Sequence, residues 1–137
     1  MIILNLTQHP ASLEQLAAGV IDPDVDALQF IKDRITFDSI PSPGEMERRA
    51  ADVADMAAMY ALNREDDSSD GPYPTHAMIG GAPFFMGVLE AALMDVFITP
   101  LYAFSVRESV EQEQSDGSVR KVAVFKHLGF VQVGNQQ

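Results

Sequence analysis

The chain has 137 residues, 47% of them hydrophobic, a formal net charge of −11 and no cysteine. That length and composition suit one domain with an ordinary core, no apolar run reaches the roughly 18–20 residues that span a bilayer, and disulfides and thiolate metal sites are excluded. The acid excess opposes a groove-binding surface for duplex nucleic acid, which is held mainly through cation–phosphate contacts.

Residues 2–7, Ile-Ile-Leu-Asn-Leu-Thr, read as a buried strand. This opening is too short, and lacks the basic flank, for a secretory signal, so a cytoplasmic location is expected. Pro10 blocks continuation, and Ser12 with Gln15 offers a capping box for a short helix that Gly19 closes. Asp22-Pro23 repeats the start signal, an N-cap with proline at the first helical position. Val25, Leu28, Ile31 and Ile35 follow at helical spacing, which predicts a helix over 23–34. Ser42 and Glu45 form another capping box, opening a helix over 45–63 with Met46, Ala50, Val53, Ala57 and Tyr60 on one stripe. Residues 64–75 are polar and punctuated by Pro and Gly, a loop. Much of the acid lies in two stretches, Asp22 to Asp38 and Glu65 to Asp70, read as solvated faces and loops.

His76-Ala77-Met78-Ile79 is a second short strand, running through Gly80-Gly81-Ala82 to Pro83. Pro83 opens a helix to about Asp95 that is apolar on nearly every face, the pattern of a buried helix. Thr99 to Val106 is the third strand. It continues to a turn at Ser115-Asp116-Gly117-Ser118, and Val119 to Phe125 returns, with 128–133 extending it or adding an edge strand. Asp-Gly between alternating runs signals a hairpin, here pairing Arg107–Glu113 with Arg120–Lys126. The order predicts a single α/β domain over 1–137: a small Rossmann-like layered domain with a parallel core sheet, a helical insertion after strand 1 and a C-terminal β-hairpin. Three helices make the first connection unusually long.

In open α/β sheets ligands bind beyond the carboxyl ends of the strands. Asn5, Thr7, Gln8 and His9 follow the first strand, Gly80, Gly81 and Ala82 the second, and Ser105, Arg107, Glu108 and Ser109 the third. Glycines admit close approach of a ligand, the N–H groups of the following helix favour an anion, and Arg107 offers a bidentate clamp to phosphate or carboxylate. Distant acid is screened over roughly 8 Å and does not exclude such a ligand. The same glycines equally suit a strand turning into a tightly packed helix. His9 suits a general acid/base, a ligand donor or a cap on the Pro10 turn. His76, before a buried strand, reads as structural, and His127 beside Lys126 as an extension of the donor cluster or an exposed edge residue. The histidine spacing matches no metal motif, so neither metal nor cofactor is expected. Ser105 and Ser109 lack a nucleophile elbow.

Asn5-Leu6-Thr7-Gln8-His9-Pro10, Ala77-Met78-Ile79-Gly80-Gly81-Ala82-Pro83 and Tyr102-Ala103-Phe104-Ser105-Val106-Arg107-Glu108-Ser109 together resemble a family of small uncharacterised bacterial and phage proteins, over most of the chain. More distantly, a strand ending in Asn-Leu-Thr with a nearby His-Pro is similar to small CRISPR-associated Rossmann-like proteins, and the Gly turn before a helix resembles their cyclic oligoadenylate sites. That resemblance implies a ligand class for Asn5, Thr7, His9, Gly80, Gly81 and Arg107.

Three readings follow. The chain binds a small anionic ligand, of nucleotide or phosphate type and including cyclic oligoadenylate. Alternatively it is an enzyme at that site, with His9, Arg107 or Lys126 stabilising charge in the transition state. In the third it is a phage or bacterial accessory protein acting through a protein–protein surface, with no small-molecule ligand. A homodimer is expected, because a long hairpin leaves an edge open to pairing; no membrane partner is expected.

Overall fold

Alternation along Ile3, Leu4, Asn5 and Leu6 sends side chains to both faces of one strand, and all four are buried. That strand is interior to the sheet, with a neighbour on each side. A computed structural model of the protein describes residues 1–67 and 75–133. In chain order the elements are β1 (Ile3–Asn5), α1 (Leu13–Ala17), β2 (Val20–Ile21), α2 (Val25–Ile35), α3 (Pro43–Asp67), β3 (His76–Met78), α4 (Pro83–Asp95), β4 (Thr99–Glu113) and β5 (Val119–Gln132). The sheet order is β2-β1-β3-β4-β5. The first four strands are parallel and β5 is antiparallel to β4, so the α/β sheet with a C-terminal hairpin is as the sequence predicts.

The three predicted strands are neighbours, β1, β3 and β4. The sequence gives no sign of β2, whose two residues pair as Ile3 with Val20 and Leu4 with Ile21. It divides the long first connection into two crossovers that run in opposite directions, β1 to β2 and then β2 past β1 to β3. The right-handed rule puts α1 on one face and α2, α3 and α4 on the other.

On the helical face Leu4, Leu6, Ala77 and Ile79 meet Ile31, Val53, Ala57, Phe85, Leu89 and Leu93 in the main core. Each large side chain buried there stabilises the fold by about 1.5–3 kcal/mol. The opposite face carries a smaller apolar cluster of Ile3, Val20, Met78 and Leu101, flanked by Ala11 and Phe130.

Local signals are met with small corrections. The Ser12–Gln15 capping box opens α1 as expected. For α2 the cap is Asp24, whose carboxylate accepts from the Ala27 N–H, and not Asp22; Pro23 stands outside the helix. Val25, on the predicted stripe, is the first residue of the helix and is 82% exposed. α3 begins at Pro43, with the Ser42 hydroxyl accepting from the Glu45 N–H, and it continues to Asp67 where a loop is predicted. The rest of that predicted loop, 68–74, lies outside the described residues. α4 ends in a Schellman motif: the N–H of Phe97 donates to the Met94 carbonyl and that of Ile98 to Leu93, with Phe97 at φ 65°. No described helix is long and apolar enough to cross a membrane.

β4 does not end near Val106. Its residues Thr99–Leu101 pair with β3, and from Tyr102 to Glu113 it pairs only with β5. The hairpin therefore leaves the carboxyl edge of the sheet as an arm about 40 Å long. Its register is one residue from the predicted one, with Arg107 opposite Phe125 and Glu113 opposite Val119, and Leu128 forms a bulge. Residues 128–132 extend β5 rather than adding a strand.

Candidate functional site

Asn5, at the carboxyl end of β1, is 1% exposed and hydrogen-bonded at every polar atom of its amide. Its Nδ2 donates to the His9 carbonyl (2.8 Å) and to Asp22 Oδ1 (2.8 Å). Its Oδ1 accepts from the Thr7 N–H (2.9 Å) and from the Thr7 hydroxyl (2.7 Å). Asp22, just past β2, also accepts from the Ala11 N–H at 3.0 Å. One amide and one carboxylate thus fasten the loop after β1 to the end of β2. This internal satisfaction makes Asn5 a support for the loop, with no group left to offer a ligand.

Beyond β3 the Ile79 N–H donates to the Leu101 carbonyl (2.9 Å), and the chain then leaves the sheet. Gly81 has φ +145°, a backbone region that side chains resist, so the turn requires glycine there. Gly80 differs: a Cβ on it would meet only Thr7 Cγ2 at 3.7 Å, an ordinary contact. Within the described residues, no hydrogen bond takes the N–H of Gly80 or Gly81. They lead to α4, whose N-cap Ala82 supplies no side-chain cap.

These two turns enclose a cleft of about 480 Å³, lined among others by Thr7, Gln8, His9, Gln15, Gly80, Gly81 and Tyr102. It sits between β1 and β3, where successive connections depart in opposite directions, the place where doubly wound sheets bind ligands. In a chain of net charge −11, no carboxylate among the described residues lines it, and neither does any Lys or Arg. Of its donors, the Thr7 hydroxyl is committed to Asn5 and the Gln8 amide to Thr36 Oγ1 (3.1 Å). His9, the Gln15 amide nitrogen and the glycine N–H groups remain available; the Gln15 oxygen accepts from the Ser12 N–H. The Tyr102 hydroxyl donates to Glu90 Oε2 at 2.6 Å, and burial, then that hydrogen bond and charge, hold it above the usual phenol range.

Of the residues predicted from sequence, the structure brings together Thr7, His9, Gly80 and Gly81, with Asn5 beneath them. It leaves Ser105, Arg107 and Lys126 apart. Ser105 and Arg107 lie on the arm, Arg107 four residues past Ala103 and so about 13 Å farther along the strand. Lys126 faces Val106 across the same ribbon. The cation expected to clamp a ligand beside the glycine turn is therefore not a wall of this cleft. His76 stands at the amino end of β3, remote from the cleft, and burial, then the Met1 ammonium, lower its pKa. His127 is on the arm, edge-on to Phe130 at 4.9 Å, and both ring nitrogens are buried without a hydrogen-bond partner among the described residues. Among the described residues no three His, Asp or Glu side chains are grouped to hold a metal ion.

Sequence reasoning missed Gln15, Tyr102 and Asp22. Gln15 and Asp22 carry local capping signals, and only the tertiary fold shows that these residues serve the cleft as well.

The fold and the site define a doubly wound α/β protein with an uncharged polar cleft at its strand-order reversal. Residues 1–131 match the family described as Uncharacterized protein MJ1673 family, and the chain belongs to it. No curated protein and no solved structure matches the chain.

Proposed function

We propose that the cleft between β1 and β3 binds a small anionic ligand of nucleotide or phosphate type. The observation that carries this reading is the pair of N–H groups at Gly80 and Gly81 that no described residue engages, at the switch point, in a cleft that no described carboxylate lines. Walls without Lys or Arg favour a ligand of low charge, such as a mononucleotide, over a multiply charged cyclic oligoadenylate. The resemblance of the sequence to small CRISPR-associated proteins is the reason to include the latter in the test.

Calorimetry against inorganic phosphate, mononucleotides and linear and cyclic oligoadenylates tests the proposal. Gly80→Ala fits the fold yet places a methyl group in the cleft, so it should weaken binding while leaving stability nearly unchanged. His9→Ala should cost about tenfold in affinity, the worth of one hydrogen bond to a charged group. Gly81→Val is a poor probe, because its φ would strain the fold itself. No binding by the wild-type protein, or binding unaffected by both Gly80→Ala and His9→Ala, would refute the reading. A second reading, action through a protein surface, draws support from the arm, where no residue from 105 to 126 is buried.

A further inference from the structure

The arm is out of proportion to the sheet that carries it. β1 and β3 have three residues each, while β4 and β5 have 15 and 14. A two-stranded ribbon is at best marginally stable in water, and a covered face or additional strands are needed to secure it.

The two faces of the ribbon differ. Cross-strand partners share a face, and faces alternate along a strand. Phe104, Val106, Val110, Val122 and Val124 fall on one side, where Glu108, Arg120 and Lys126 are their only charged companions. The reverse side carries four charged residues, Arg107, Glu111, Glu113 and Lys121, with Ser105 and Ser109, and its apolar residues are Val119, Ala123 and Phe125. The apolar side continues the sheet face that α4 covers at Tyr102. Beyond the body it is bare: Phe104 is 49% exposed, Val110 36% and Val124 39%.

Charge indicates the occupant. The chain as a whole carries −11, so two copies repel over most approaches. The arm is balanced. Four acids, Glu108, Glu111, Glu113 and Asp116, stand against four bases, and on the apolar side the one acid, Glu108, is on β4 while the two bases, Arg120 and Lys126, are on β5. A two-fold contact must be self-complementary. A two-fold axis along the ribbon sets Glu108 on β4 of each copy over β5 of the other, next to Lys126, with the valines and Phe104 between them.

We propose that this apolar face of the arm is the homodimer interface, two ribbons stacked face to face. The proposal does not depend on the ligand reading of the cleft.

Sedimentation velocity at micromolar concentration tests it. The wild-type protein should sediment at twice the 15.0 kDa chain mass. Val124→Lys should give a folded monomer, judged by unchanged far-ultraviolet circular dichroism of the body helices, whereas Phe125→Ser on the reverse face should leave the dimer intact. A spin label at Ser109→Cys on the reverse face provides a check that needs no disruptive variant: stacked sheets lie about 10 Å apart, so the two outward-pointing labels should show an inter-copy distance of about 20–30 Å. A wild-type monomer, a dimer indifferent to Val124→Lys, or labels without inter-copy coupling would overturn the proposal; a monomer would give the face to a partner of different sequence.

Discussion

Replacing Asn5 by alanine tests whether one buried amide holds the loop after β1. The substitution removes four hydrogen bonds, to the Thr7 N–H, the Thr7 hydroxyl, the His9 carbonyl and Asp22. Ordinary bonds contribute about 1 kcal/mol net, and one to a carboxylate about 1.5–3 kcal/mol. Some partners keep an alternative: the Thr7 hydroxyl can still donate to the His9 carbonyl at 3.0 Å, and Asp22 still accepts from Ala11. The expected loss is therefore about 3–4 kcal/mol, a large part of the roughly 5–15 kcal/mol of a typical domain. Urea unfolding followed by circular dichroism should show a lower midpoint with an unchanged slope. Asn5→Asp sharpens the test by keeping the acceptor and replacing the donor with a second carboxylate oxygen beside Asp22 and the His9 carbonyl. Repulsion raises a carboxyl pKa in the folded state of that variant. Its folded form then binds a proton more tightly than its unfolded form, so the destabilisation grows as pH rises through the carboxylate range near about 4 and shrinks below it. If Asn5→Ala costs less than about 1 kcal/mol, the loop is held by other contacts and the account of Asn5 as its anchor fails.

Phe97 occupies a left-handed position at φ 65° and is 92% exposed, so Phe97→Gly should stabilise the protein by about 0.5–1 kcal/mol, read as a higher urea midpoint. A lower midpoint would mean that the exposed ring makes contacts worth more than the strain. The raised pKa of Tyr102 makes the folded state hold its phenolic proton where the unfolded chain releases it; its contribution is complete below about pH 10 and is lost as pH climbs above that. Tyr102→Phe should flatten this alkaline decline and cost roughly 1–2 kcal/mol near neutrality, and an identical alkaline slope in both proteins would contradict the assignment. Gly117, at φ +87°, forms the tip of the arm, where Asp116 accepts from the Ser118 N–H and hydroxyl. Gly117→Val should destabilise the turn by roughly 1–2 kcal/mol through the backbone alone, since open space surrounds a Cβ there, and amide exchange along residues 107–126 should quicken.

What the sequence determined by itself is what short-range chemistry specifies. The capping box at Ser12, the proline that opens α4, the Asp-Gly turn of the hairpin and the apolar runs of β1 and β3 each act within a few residues, and each stands where it reads. Even the site was half legible: Thr7, His9, Gly80 and Gly81 follow strands, and the parallel sheet brings strand ends together. The tertiary structure decided the rest. β2 has two residues, too few for any period, and it exists because Val20 and Ile21 complete a sheet already begun by β1. Its presence reverses the strand order and so creates the cleft. Asp22 could cap a helix as well as Asp24 by local rules, yet Asn5, seventeen residues away, claims its carboxylate. Arg107 reads as the end of a strand, but the end is set by where pairing with β3 stops, at Leu101. Alternation prescribes an apolar side for the arm; whether that side is covered depends on how far α4 reaches, a property of the packed body that no stretch of the arm encodes.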